Sequence, residues 1–374
     1  MANIEHEARI VMGLTLNLYI FQRSLRMIIY FSLGATALAF LADFTEFSNR
    51  TAGLEDYNTL VALGVVAMRV PFILQVAIPF IVMFATMATL MTLNQKYELV
   101  IARASGVSAW QFLMPVWVSA FIVGLFTIFI VNPVASYGFA KAEEIEGLWR
   151  SGPSQNILLE TQRPWLRQPG EDGGAVLIGA TRASAVGTQI FTVSFLFIDA
   201  QGAMTKRVDA ARATLSPGRW DAFDTVTIDP SGKKQLADRL MIPTSLDAAV
   251  VSEALIPAEM VPFLSLPKQI NTAQSFGIPA NPFRMQYHSL IALPVLLVAM
   301  TLIAATVSLR FARFGQSAGM VLSGIGAGFA LYVITAVAKS FGSVGLVAPS
   351  IAAWLPAGAA IFFGVGYLLH REDG

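Results

Sequence analysis

The sequence predicts an α-helical membrane protein with six transmembrane helices and an all-β, jellyroll-like domain inserted between the third and the fourth. Three observations lead there. The chain of 374 residues is 55% hydrophobic and only 13% charged, about half the roughly 25% charge of a soluble domain. Six runs approach or exceed the ~20 apolar residues needed to cross hydrocarbon. And 28 of the 49 charged residues fall between Tyr137 and Lys268, so one middle segment has the composition of an aqueous domain.

The runs are Met27–Asp43, Val70–Leu93, Trp110–Val131, Gln286–Leu309, Ala318–Ser340 and Pro349–Leu369. Pro79 and Pro294 lie inside two of them, which membrane helices tolerate when neighbours satisfy the freed carbonyl. Lys and Arg collect in alternate connections: Arg9, Arg23, Arg26, Lys96, Arg103, Arg310, Arg313 and Arg371 on one side, and little besides Arg50 on the other. The excess marks the cytoplasmic side. Both termini therefore lie inside and the middle segment outside. No small-residue cleavage pattern follows the first run. The chain divides as 1–136, with helices one to three; 137–268, the β domain; and 269–374, with helices four to six.

The middle segment reads as short strands. In Ile190–Ile198 the residues Phe191, Val193, Phe195 and Phe197 fall on one face of an alternating pattern. Gly174–Thr181 and Phe223–Asp229 are further strands, set off by Asp199-Ala200-Gln201-Gly202, Pro217-Gly218 and Pro230-Ser231-Gly232 turns. Such spacing suits a sandwich or jellyroll. The phenylalanine face fills a closed core or, in a sheet open along one side, holds acyl chains.

The segment at about 95–108 carries the most information. Tyr97-Glu98-Leu99-Val100-Ile101-Ala102-Arg103-Ala104-Ser105-Gly106-Val107-Ser108 is a short helix former between two membrane runs. Glu98 suits the positive end of a helix dipole, and Gly106 suits its termination. One carboxylate and one guanidinium on a surface helix either lie solvated or dock on a soluble partner through a directional ion pair.

Other chemistry is sparse. Net charge is +1, which offers nothing to nucleic acid; His6, His288 and His370 stand far apart; and there is no cysteine. Ser231-Gly232-Lys233-Lys234 lacks the glycine spacing and the Ser/Thr of a phosphate-binding loop. The chain reads as non-catalytic, without cofactor or metal of its own. A gradient-driven transporter would place carboxylate relays within its spans, and these are almost absent away from the span ends. A membrane-anchored scaffold would need one span rather than six.

The ordered set of segments resembles the permeases of lipopolysaccharide export, the LptF/LptG family. It comprises Leu18–Arg26 ("LYIFQRSLR"), Asp43–Arg50 ("DFTEFSNR"), the 97–108 segment, Asn132-Pro133 closing the third span, a β-rich insertion, and Ala352–Arg371. Asp43–Arg50 favours the LptG type. The resemblance implies a bacterial inner-membrane subunit paired with an LptF-type permease. It implies an LptB-type cytosolic ATPase dimer that uses ATP and Mg²⁺, and a periplasmic jellyroll that hands lipopolysaccharide to LptC/LptA-type jellyrolls. It places Glu98 and Arg103, flanked by Tyr97 and Leu99, in the groove of the ATPase. It makes the first and fifth spans lateral gates and Phe191, Phe195 and Phe197 lipid contacts. LptG-type members often carry lysines in the first span; this one has none. Arg69, Arg284 and Lys339 are the cations left to meet lipid phosphates, or else snorkel to headgroups. Asp43 and Glu46 would repel phosphate and are expected at a helix end in water. Gly324 and Gly328 form a G-x-x-x-G step, read as close helix packing.

Overall fold

The computed structural model describes residues 2–51, 53, 58–151, 158–159, 165–170, 174–184, 189–244, 257–275, 279–308 and 318–372. Arg310 and Arg313 lie outside them. Two compact units emerge: Met1–Glu46, Val66–Gly138 and Arg284–Gly374 form one, Phe47–Val65 and Phe139–Phe283 the other.

The helices are α1 (Ala2–Thr51), α2 (Thr59–Gln95), α3 (Glu98–Ala104), α4 (Ala109–Phe126), α5 (Asn132–Ser151), α6 (Leu266–Ser275), α7 (Asn281–Ser308), α8 (Ala318–Val344) and α9 (Pro349–Glu372). Among the described residues six stretches are long and apolar enough to span a membrane, and they include parts of all of these but α3 and α6. Ser108 opens α4 with a capping box: its hydroxyl accepts from the Gln111 N–H, and the Gln111 side chain accepts from the Ser108 N–H.

Asn132-Pro133 does not close the third span. A π turn, Thr127–Val131, joins α4 to α5, and the helix runs on to Ser151. Proline cannot donate a backbone hydrogen bond, and a π turn is one way a helix absorbs such an irregularity. Asn132 is fully buried there and its amide donates to Gln75 of α2.

The helical unit is packed around α2, α4 and α7. Ile78, Val82 and Ala85 of α2 meet Ala120 and Val123 of α4 and Leu293 and Leu297 of α7. α4 and α7 approach so closely at Gly124 that a Cβ there would lie 2.5 Å from Pro294 Cα. On α8, Gly324 and Gly328 face Met87 and Met83 of α2, where a Cβ on Gly328 would overlap the Met83 sulfur. The G-x-x-x-G step is thus a packing face.

Among the described residues of the second unit, seven antiparallel strands form one sheet: β1 (Leu158–Leu159), β2 (Trp165–Pro169), β3 (Ala175–Ser184), β4 (Gln189–Ile198), β5 (Met204–Ser216), β6 (Arg219–Ile228) and β7 (Lys234–Pro243). From β3 to β7 each strand pairs with the next, and β1 and β2 both pair with β3. The sheet curls: Gln168 on β2 donates to the Pro243 carbonyl at the end of β7. Its core includes Ile178, Ile190, Val193, Phe195, Val208 and Trp220.

The alternation predicted for β4 is interrupted. Thr192 has φ +50°, a left-handed conformation uncommon for a β-branched residue. It switches which parity faces inward, so Ile190, Val193 and Phe195 are buried and Phe191 is not. The switch crosses the sheet. Asp224 on β6 has φ +52°, and buried positions there jump from Ala222 to Thr225, as they jump from Ala210 to Ala213 on β5. On the opposite face Phe191, Arg212, Phe223 and Arg239 pair in succession across β4 to β7. The Arg212 guanidinium lies 4.7 Å from the centre of the Phe223 ring.

Candidate functional site

α3 is a single short helix set between two long ones. Tyr97 enters it in the left-handed region at φ +60°, and Gly106 leaves it at φ +84°. Leu99 is its one fully buried residue. It packs with Ile20 of α1, Leu90 and Leu93 of α2, and Phe112, Leu113 and Val116 of α4. The opposite side shows Tyr97 and Ile101, each 64% exposed, and Val100 at 48%. Arg103 is exposed, with its guanidinium 5.8 Å from the Phe112 ring centre.

Glu98 points back to α1. Tyr19 donates its hydroxyl to Glu98 Oε2 at 3.0 Å, and Arg23 reaches Oε1 at 3.3 Å and Oε2 at 3.4 Å. Arg23 also donates to the Tyr19 oxygen. Tyr19 and Arg23 are one helical turn apart and so share a face. The next stripe of α1, at Ile20, Ser24 and Ile28, is buried, and the Ser24 hydroxyl meets that of Ser119 on α4 at 2.9 Å. Neither Tyr19 nor Arg23 is singled out by the sequence as a partner of Glu98. Their shared i, i+4 face was the available signal, but nothing local points across 75 residues.

Beyond Ile28, α1 has no buried residue until Asp43. Over that stretch Tyr30, Phe31, Gly34, Ala35 and Leu38 face Ala77, Phe80, Ile81 and Phe84 of α2 across an apolar groove of about 520 Å³. A second groove of about 420 Å³ lies between α2, at Phe72, Ile73, Val76, Ala77 and Phe80, and Phe329 and Tyr332 of α8. The first and fifth spans are also the least enclosed. Only 6% and 17% of the residues in their most apolar windows are buried, against 50% in α2 and 61% in α7.

The three cations sit as follows. Arg69 of α2 is mostly buried, its Nε 3.8 Å from Asp43 Oδ2. Asp43 is thus not at a helix end in water: it is 9% exposed, with a guanidinium as neighbour. Lys339 of α8 donates to the Gln286 side chain of α7 at 3.1 Å. Arg284 is half-buried two residues away on α7. The structure therefore brings Lys339 to the part of α7 that carries Arg284.

In the β unit a cavity of about 740 Å³ opens beside the core, lined in part by Val176, Phe197, Leu240 and Ile242. Lys206 stands at it, with Nζ 4.2 Å from the Phe197 ring centre. Phe195 is fully buried against Trp220, ring centres 6.4 Å apart. Of the three phenylalanines named from the sequence, Phe197 lines this cavity, Phe195 fills the core, and Phe191 lies on the other face because of the turn at Thr192.

The helical unit holds two lightly enclosed spanning helices beside a packed centre and a short surface helix, and the second unit holds the inserted sheet. The family model described as lipopolysaccharide export system permease LptF/LptG matches residues 18–371. The chain belongs to the LptF/LptG family. No curated protein matches it. An LptF/LptG chain with six such helices is a multi-pass inner-membrane protein and a permease subunit. The matched region takes in α3, both grooves and the sheet.

Proposed function

We propose that this permease extracts lipopolysaccharide from the inner membrane under the drive of a cytosolic ATPase and passes it to a periplasmic β-jellyroll bridge. The observation that carries the reading is α3. Leu99 seats it, while Tyr97, Val100 and Ile101 are left uncovered beside Arg103. An apolar face with a charged edge suits a groove on a soluble partner.

In this reading α3 lies in the cytoplasm with both termini, and the sheet lies in the periplasm. The chain is of the LptG type and faces an LptF-type permease. An LptB-type ATPase dimer binds ATP and Mg²⁺ and docks on Tyr97, Val100, Ile101 and Arg103, with the exposed part of Glu98 at its edge. Lipid enters beside α1 or α8, whose grooves against α2 are apolar and laterally open. Arg284 and Lys339 meet its phosphates, and Arg69 does so when it leaves Asp43. Acyl chains then follow the cavity beside Phe197, with Lys206 at its mouth, toward LptC/LptA-type jellyrolls. ATP binding closes the ATPase and narrows the cavity between the two permeases, which drives the lipid out. An ion-gradient transporter needs carboxylate relays inside its spans; the buried Asp43 is adjacent to a guanidinium instead.

The test is purification of the tagged chain from native membranes in mild detergent, with partners read by mass spectrometry. Recovery of a cytosolic ATPase and a second permease, with the ATPase lost on Ile101→Asp or Glu98→Arg, is the expected result. Recovery of the chain without any ATPase would sink the reading.

A further inference from the structure

We infer that Arg23 and Tyr19 are positioning residues that transmit the movement of α3 to α1, so that nucleotide-driven displacement of α3 reshapes the groove between α1 and α2. The inference rests on the proposed docking of an ATPase on α3.

Three observations converge on it. The first is the direction of Glu98. Its two oxygens are taken by Tyr19 and Arg23, both on α1, through charge-assisted hydrogen bonds. The Arg23 side chain is only 14% exposed and Glu98 33%, while Tyr19 is 43% exposed, so the link runs from the surface of α3 to an enclosed guanidinium on α1. The second is that α3 has two kinds of attachment. Leu99 rests on α2 and α4 as well as α1, whereas Glu98 engages α1 through the pair described. A push on α3 is therefore delivered to α1 by a directional, polar grip. The third is the freedom of what is gripped. Between Ile28 and Asp43 no residue of α1 is buried. An element with little buried contact is one whose position a small free energy can shift. The groove there, with Leu38 on one wall and Ala77 on the other, is where a shift of α1 registers.

A purely structural role for Arg23 predicts loss of assembly when it is replaced. A transmitting role predicts assembly and hydrolysis without movement. The chain contains no cysteine, so Leu38→Cys with Ala77→Cys accepts two spin labels cleanly, and pulsed electron paramagnetic resonance reads the distance between them. The complex is purified on the tagged chain, reconstituted in lipid, and measured without nucleotide and with ATP plus vanadate.

In the parent the distance distribution is expected to shift with nucleotide. In Arg23→Gln the ATPase still co-purifies and hydrolyses ATP, the shift disappears, and lipid release falls about tenfold, the size of an ordinary coupling between sites. Arg23→Lys, which keeps a cation within reach of Glu98, retains the shift. Tyr19→Phe reduces it. A shift that survives in Arg23→Gln, or none in a parent complex that turns over, overturns the transmission. Loss of the ATPase from both Arg23→Gln and Arg23→Lys overturns it in favour of a structural seat. Failure of the docking reading looks different: no ATPase then accompanies even the parent chain.

Discussion

α1 and the β sheet hold their residues in place by opposite means. Along the apolar stretch of α1 between Ile28 and Asp43 no residue is buried, and ionic contacts occur at either end: Arg23 with Glu98, and Asp43 with Arg69. Strands β3 to β7 are bonded along most of their lengths, each to the next. Their ion pairs, such as Arg239 with Asp221, lie over ladders that are already complete. Removing a charge from α1 therefore loosens the helix, while removing one from the sheet leaves its register standing. A permease that must let a lipid pass sideways needs one element of the first kind, and a conduit that must keep its shape needs the second.

The largest effect is expected at the end of α1 near Asp43. Arg69→Gln removes the guanidinium beside the buried Asp43 carboxylate, and breaking a buried pair in this way costs up to about 3–5 kcal/mol. Thermal unfolding of the purified protein in detergent is expected to shift down strongly, and Asp43→Asn in the same chain is expected to recover most of the loss. An Arg69→Gln protein as stable as the parent would show that α1 is not held there by its pair with Arg69. Lipid crosslinking to the double variant then tests Arg69 as a phosphate contact apart from its pairing with Asp43.

A smaller pair of effects compares α1 with the packed centre. Gly34 on α1 has open space where a Cβ would go, and Gly328 on α8 has the Met83 sulfur. Gly34→Ala gains helix propensity, up to about 1 kcal/mol, and leaves folding intact. Gly328→Leu forces Met83 and its neighbours to move, at about 1–3 kcal/mol. Equal melting temperatures for the two variants would erase the distinction between a loosely held and a packed spanning helix.

Much of this contrast is legible in the sequence, and the reasons it is incomplete are physical. Six apolar runs announce themselves because hydrocarbon demands length. The inserted domain does so by its charges. α3 is legible because Glu98, Arg103 and Gly106 sit where a short helix wants them. What escapes is pairing at a distance. Glu98 meets residues 75 and 79 positions away, and Asp43 of α1 meets Arg69 of α2. No local pattern encodes either contact. Phe191 fails for a different reason: period-two reading assumes extended backbone at each residue, and Thr192 is not extended. The stop expected at Asn132-Pro133 fails because a π turn takes up what a proline would otherwise break.

The smallest effect belongs to the sheet, and its pH dependence has a definite sign. The Asp221 carboxyl on β6 is held below the usual carboxylate range, first by the hydroxyl of Ser216 and then by the guanidinium of Arg239. A carboxyl with a folded-state pKa below its unfolded value binds protons more weakly when folded. It stabilises the fold fully above the unfolded value, about pH 4, and that contribution fades as pH falls through the lower, folded value. Melting of the parent should therefore lose this contribution between about pH 4 and the folded pKa, and Asp221→Asn should flatten that part of the profile while lowering stability modestly at neutral pH. Because Thr214, Met241 and the other ladder partners of β6 remain paired without the charge, the variant is expected to keep its amide protection from hydrogen exchange across β5 to β7. Collapse of that protection on loss of a single carboxylate would mean that the sheet, like α1, depends on its ion pairs.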